Sequence, residues 1–152
     1  MTDRNLEAHC GLYCGACPVL LVRRDDRLYQ AVREHFAAPD EDLLCRGCRS
    51  DVLSISCREC PKRDCAKSKG LDSCSACPEM PCDLQKNFRL PHASEILPNI
   101  EALRDRGFST WLAEQAEHWR CATCGRTGSW YERVCSDCGA ALPAGHRPPD
   151  GI

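Results

Sequence analysis

Cys57-Arg-Glu-Cys60-Pro-Lys-Arg-Asp-Cys65 and Cys74-Ser-Ala-Cys77-Pro-Glu-Met-Pro-Cys82 are two copies of one pattern, C-x2-C-P-x3-C. Two residues between paired cysteines let a tight turn aim both sulfurs at one ion. Two copies are too few for a solenoid, so they predict two equivalent metal knuckles. Cys45-Arg-Gly-Cys48 precedes them as a further ready knuckle, Cys10-Gly-Leu-Tyr-Cys14-Gly-Ala-Cys17-Pro18 stands near the start, and Cys121-Ala-Thr-Cys124-Gly125 and Cys135-Ser-Asp-Cys138-Gly139 stand near the end.

The 152 residues hold 15 cysteines against three Trp, three Tyr and three Phe. An apolar core this thin needs staples. The N-terminus carries acids and no apolar core segment, so it reads as neither a signal nor a transit peptide, and no stretch approaches the roughly 20 apolar residues of a membrane span. The expected location is therefore the cytoplasm, with no membrane contact. Thiols are kept reduced there, and the cysteine count is odd, so metal ligation is favoured over disulfides. The formal charge is −2, and each tetrathiolate zinc centre adds about −2. A general nucleic-acid footprint is not expected.

Between the cysteine groups the pattern turns helical. Leu21, Leu28, Val32 and Phe36 mark one helical face ahead of Pro39. Asp83 to Leu90 reads as a short helix, and Ile96, Ile100 and Leu103 mark another that ends at Gly107. Trp111, Leu112, Gln115 and Trp119 share a face of a further helix leading into the last cysteines. The division expected is a cysteine-rich metal-binding domain over 1–108, a connecting helix over 109–120, a zinc ribbon over 121–142 and a disordered tail over 143–152. The fold class expected is small α+β: a mostly helical, metal-stapled domain followed by a zinc-ribbon β-hairpin.

Cys121, Cys124, Cys135 and Cys138 are the strongest metal signal, two knuckles with ten residues between them. Glycine after the second cysteine of each allows a positive φ, so backbone N–H groups can turn to the thiolates. Trp130 and Tyr131 are expected on the hairpin between the knuckles. A closed four-sulfur site is a staple. A recruiting role, through a protein partner or less favourably a nucleic acid, would use Arg120, Arg126, Arg133 and an exposed Trp130.

The other eleven cysteines divide as four, four and three. Cys57, Cys60, Cys74 and Cys77 make the cleanest set on spacing alone. Cys45 and Cys48 need Cys65, Cys82 or the first group as partners, and spacing does not choose among them. Cys10, Cys14 and Cys17 share the C-x3-C-x2-C spacing of radical S-adenosylmethionine enzymes, but no strand–helix alternation supplies the barrel those enzymes build. Structural zinc, or a 4Fe-4S cluster with a fourth ligand, remains for these three. His9 or His92 is a candidate to complete a three-sulfur site. The basic stretch Arg46, Arg49, Arg58, Lys62, Arg63, Lys67 and Lys69 reads as charge balance beside anionic thiolate centres. It contains no aromatic residue for stacking on bases. Phosphate loop, nucleophile elbow and zincin helix are absent.

Cys10-Gly-Leu-x-Cys14-x-x-Cys17-Pro18, Cys45-x-Gly-Cys48-Arg49-Ser50, Cys57-x-x-Cys60 leading to Asp64-Cys65-Ala66 and Lys69-Gly70, and Cys74-x-x-Cys77 with Pro81-Cys82 together resemble domain of unknown function 3795. The Gly107-Phe-Ser-Thr-Trp111-Leu segment and Trp119-Arg-Cys121 are similar to the extension that joins this domain to a ribbon in some members. Pro61-Lys62-Arg63 departs from the Ile-Arg type expected before Asp64-Cys65. The resemblance implies a prokaryotic, metal-binding family with no established activity. The expectation is thus a protein with three to four zinc sites acting as a non-enzymatic interaction or regulatory module. The alternatives are an iron–sulfur redox or cluster-handling protein centred on Cys10, Cys14 and Cys17, and a nucleic-acid-binding ribbon protein.

Overall fold

Two of the three Cys-Pro steps in this chain start helices. The computed structural model describes residues 3–22 and 26–147. Within it Cys17 caps α1 (Pro18–Leu21) and Cys60 caps α4 (Pro61–Ser68). Proline suits the first helical position because its φ is already helical and its missing N–H would have found no partner. The cysteine carbonyls take the first helical bonds, from Leu21 N–H at 3.0 Å and from Asp64 N–H at 3.0 Å. Between them lie α2 (Asp26–Phe36) and the short α3 (Ile55–Arg58). Then follow α5 (Asp83–Lys86) and the long α6 (Ile96–His118). Short 3-10 turns at Cys14–Ala16 and Cys74–Ala76 carry cysteines between the helices.

α6 organises the core. Ile96, Ile100 and Trp111 are buried on it, with Trp111 at 0% exposure. They pack with Ala8, Leu12, Tyr13 and Ala16 from the first cysteine loop. Tyr13 meets Trp111 edge to face at 6.0 Å. Arg104 of α6 reaches over to the Cys74 turn and donates to the carbonyls of Ser75 at 2.7 Å and Cys77 at 2.8 Å. The backbone leaves helical geometry at Gly107, φ 78° and ψ 169°, so α6 is two helical segments meeting at a glycine. A satellite core of Val19, Val22, Val32, Ala38 and Leu43 lies under α1 and α2.

Two glycines allow the loops to close on each other. A Cβ on Gly11 would sit 2.9 Å from Ile100 Cδ1, and one on Gly47 would sit 2.1 Å from the Asn5 carbonyl oxygen. Both have positive φ, 88° and 95°. Only glycine satisfies both demands without strain.

The α+β class and the terminal β-hairpin are corrected by the structure. Among the described residues there is no β-strand. Residues 120–142 contribute only isolated bridges, Arg120 to Thr127 and Val134 to Ala141. The reason lies in the ten residues between the knuckles. Trp130 N–H donates to the Ala16 carbonyl at 2.9 Å and the Trp130 carbonyl accepts from His146 N–H at 2.7 Å. Backbone groups that a ladder would use are committed to other parts of the chain. The Pro143–Arg147 segment is held by that bond and by His146 Nε2 facing Glu95 at 3.0 Å, and residues 148–152 of the expected tail lie outside the described residues.

Candidate metal centres

The sequence confines local sulfur pairs to knuckles; packing decides which knuckles meet. At the C-terminus, Cys121 and Cys138 Sγ are 3.6 Å apart, as are those of Cys124 and Cys135. A tetrahedral zinc site with Zn–S of about 2.3 Å has sulfurs about 3.8 Å apart, so these four fit a single ion. Gly125 and Gly139, φ 79° and 75°, bring the chain back so that their N–H groups bond the Cys121 and Cys135 carbonyls at 2.8 and 2.9 Å. Backbone N–H groups of Cys124 and Thr123 facing the Cys121 sulfur lower its pKa to about 6, which favours the thiolate a metal needs. Cys121 and Cys135 are buried, whereas Cys124 and Cys138 are exposed.

Trp130 and two of the arginines expected on a recruiting surface have partners within the chain. Trp130 is 7% exposed, buried rather than presented to solvent. Its ring stacks on His92 at 4.2 Å between centroids. Arg126 Nη1 pairs with Glu132 at 3.0 Å and Arg120 Nε with Glu117 at 2.8 Å. An aromatic residue between two knuckles looks like a contact residue in sequence; the neighbour that buries it, His92, is far away in the chain.

The structure gathers the eleven N-terminal cysteines at two places. Cys10, Cys14, Cys17, Cys45, Cys48, Cys57 and Cys60 all line one largely apolar cavity, the large cavity, walled by 24 residues. Cys65, Cys74, Cys77 and Cys82 line a second, walled by 13. The set Cys57, Cys60, Cys74 and Cys77 is therefore divided between the two. α4 lies between them: Cys60 caps its start, Cys65 lies within it, and it packs against α5, which follows Cys82. Among the described residues, the C-terminal four are the one group of three or more Cys, His or acidic residues whose ligand atoms all lie within 4.8 Å of one another. The sulfurs around the two N-terminal cavities stand wider.

Burial sets the chemistry of the large cavity. It pushes the Cys10 and Cys17 thiols up to about 12, and raises Cys14, Cys48 and Cys57 as well. Cations stand against that. Lys62 is buried, lines both cavities, and places Nζ 3.2 Å from the centroid of the Phe88 ring. Among the described residues no carboxylate pairs with it. A buried ammonium without a counter-ion is costly, and an anionic metal–thiolate group would supply one. Arg49, part of the same basic stretch, instead bonds buried Glu7 at 3.1 Å and Asp72 at 2.7 Å.

Both histidines named from sequence reach the large cavity's surroundings. His9 Nδ1 lies 3.4 Å from Cys48 Sγ. Burial, then the Arg49 charge, lowers its pKa to about 4. His92 lines the cavity itself, but its Nδ1 is 2.5 Å from the Tyr131 hydroxyl. Spacing did not reveal Tyr131, Trp130 and Phe88 as cavity walls, nor Gln85 in the second cavity. Gln85 sits three residues after Cys82, and that helical spacing was the available signal.

A helical chain with sulfurs gathered at three places, one of them spaced for a single ion, defines a cysteine-rich metal-binding protein. The chain belongs to the protein family of unknown function DUF3795, whose model matches residues 6–87. No curated protein and no solved structure matches it. The family match covers all eleven N-terminal cysteines and stops before α6 and the C-terminal module. No described helix is long and apolar enough to cross a membrane.

Proposed function

We propose that the protein is an iron–sulfur protein of one-electron chemistry, with a single structural zinc in the C-terminal module. The cluster would be held in the large cavity by Cys10, Cys14 and Cys17 with a fourth sulfur from Cys45, Cys48, Cys57 or Cys60. The observation that carries this reading is the contrast in sulfur spacing. The C-terminal four cysteines stand at the 3.6 Å separations of a mononuclear site, whereas among the described N-terminal residues no three ligand atoms lie within 4.8 Å of one another. A polynuclear cluster spreads its cysteine sulfurs more widely than one ion does.

The surroundings support it. Leu12, Phe88 and Trp130 wall the cavity with apolar surface around the sulfurs, and burial and nearby charge are among the levers that set cluster potential. A cluster bound there would supply reversible one-electron transfer. The chain's own contribution is to hold the sulfurs apart, surround them with apolar surface and supply positive charge through Lys62.

Elemental and acid-labile sulfide analysis of anaerobically purified full-length protein tests the reading. Iron and sulfide in equal amounts beside about one zinc, with a visible absorption that dithionite bleaches and that falls in Cys14→Ala, is the expected result. Three to four zinc per chain with no iron and no colour would overturn it and return the protein to a zinc scaffold.

A further inference from the structure

We infer that Cys65, Cys74, Cys77 and Cys82 hold a second iron–sulfur cluster, and that the Gln85 side-chain amide is a hydrogen-bond donor to it. The inference rests on the reading above only for the identity of the metal; the site stands on separate residues and a separate cavity.

Four sulfurs from three elements converge on this cavity of about 260 Å³. Cys65 comes from α4, Cys74 and Cys77 from the 3-10 turn and its end, and Cys82 from the cap of α5. Four is the full cysteine complement of a cubane cluster, and their spacing is too wide for the mononuclear geometry of the C-terminal module.

Gln85 supplies the independent observation. It lines the same cavity and is 7% exposed, and both its amide oxygen and its amide nitrogen lack a hydrogen-bond partner. A buried amide left unpaired costs about 1–3 kcal/mol, and native proteins rarely leave both ends of one unmet. Thiolate and sulfide sulfurs of a cluster accept N–H donors, and such bonds raise its potential. Lys62, buried and lining this cavity as well as the larger one, places a positive charge where two anionic centres would both use it.

The test uses the full-length protein purified without oxygen, as Cys82→Ala, Gln85→Leu and Cys14→Ala variants beside the wild type. Iron, sulfide and zinc are measured, and reduction by dithionite is followed by electron paramagnetic resonance. Cys82→Ala is expected to lose about half the iron and sulfide with zinc unchanged. Gln85→Leu is expected to keep its iron while one of two reducible signals moves to lower potential. Full iron in Cys82→Ala, beside loss of nearly all iron in Cys14→Ala, overturns this site alone. An iron-free wild type overturns it together with the reading of the first cavity. Where Cys82→Ala does not fold, Gln85→Leu decides, and two unmoved signals count against the amide's role and the site.

Discussion

The Tyr131 hydroxyl and His92 Nδ1 lie 2.5 Å apart, joining the C-terminal module to the wall of the seven-cysteine cavity. Burial holds the phenol protonated, with its pKa raised to about 12, and holds the imidazole neutral, with its pKa lowered to about 3. With the phenol protonated and the imidazole neutral, the imidazole tautomer sets which of the two donates. Trp130, stacked on the same imidazole, closes the cavity from the next position in the chain. The four-cysteine module thus acts as a clamp on the N-terminal domain, and a metal bound by its four sulfurs would hold the clamp in shape.

Acid should loosen that clamp. His92 falls from 6.5 in the unfolded chain to about 3 when buried, with His146 and Lys62 adding charge against protonation. Between those values the unfolded state binds a proton that the folded state does not, so stability is full above pH 6.5 and declines as pH falls towards 3. The slope from this group is about 1.4 kcal/mol per pH unit. Urea melts of wild type and His92→Phe across pH 4–7 check it: the variant should show a shallower loss.

Trp130→Ala should destabilise by about 3–5 kcal/mol, the usual cost of removing a large buried aromatic. It should also open the large cavity, so that alkylation of metal-free protein reaches Cys17 and Cys57 faster than in wild type. Mass spectrometry of the labelled peptides reads this. Equal labelling rates would contradict the closing role.

Glu7 is 1% exposed and pairs with Arg4 at 2.7 Å and Arg49 at 3.1 Å. Glu7→Gln leaves two guanidinium groups without their buried anion, and breaking a buried pair from one side costs about 3–5 kcal/mol. A shift in the denaturation midpoint with unchanged slope is the expected readout. Because Arg49 follows Cys48, the variant should also load less metal at the large cavity.

Metal uptake should release protons unequally. Cys121, lowered to about 6, is already a thiolate at pH 7.5. Zinc entering the four-sulfur C-terminal module should therefore release at most about three protons. The buried thiols Cys10 and Cys17, raised to about 12, each give up a full proton on ligation. Calorimetric titration in buffers of different ionisation enthalpy separates the two.

Residue order alone determined the local units of this protein. Each C-x2-C pair reads as a knuckle, each of Cys17-Pro18 and Cys60-Pro61 starts a helix, and Gly107 interrupts the long helix, because turn geometry and proline's φ act within a few residues. The C-terminal four-sulfur group was also legible, since one short loop joins its knuckles. The grouping of the other eleven sulfurs was decided by tertiary structure. Helix α4 divides Cys60 from Cys65, and Ile100 packing against Gly11 draws the first loop onto α6. Trp130 likewise forms a wall only because His92 comes to meet it. Spacing constrains neighbours along the chain, whereas the partners of a buried sulfur or ring are chosen by the apolar surface that brings distant segments together.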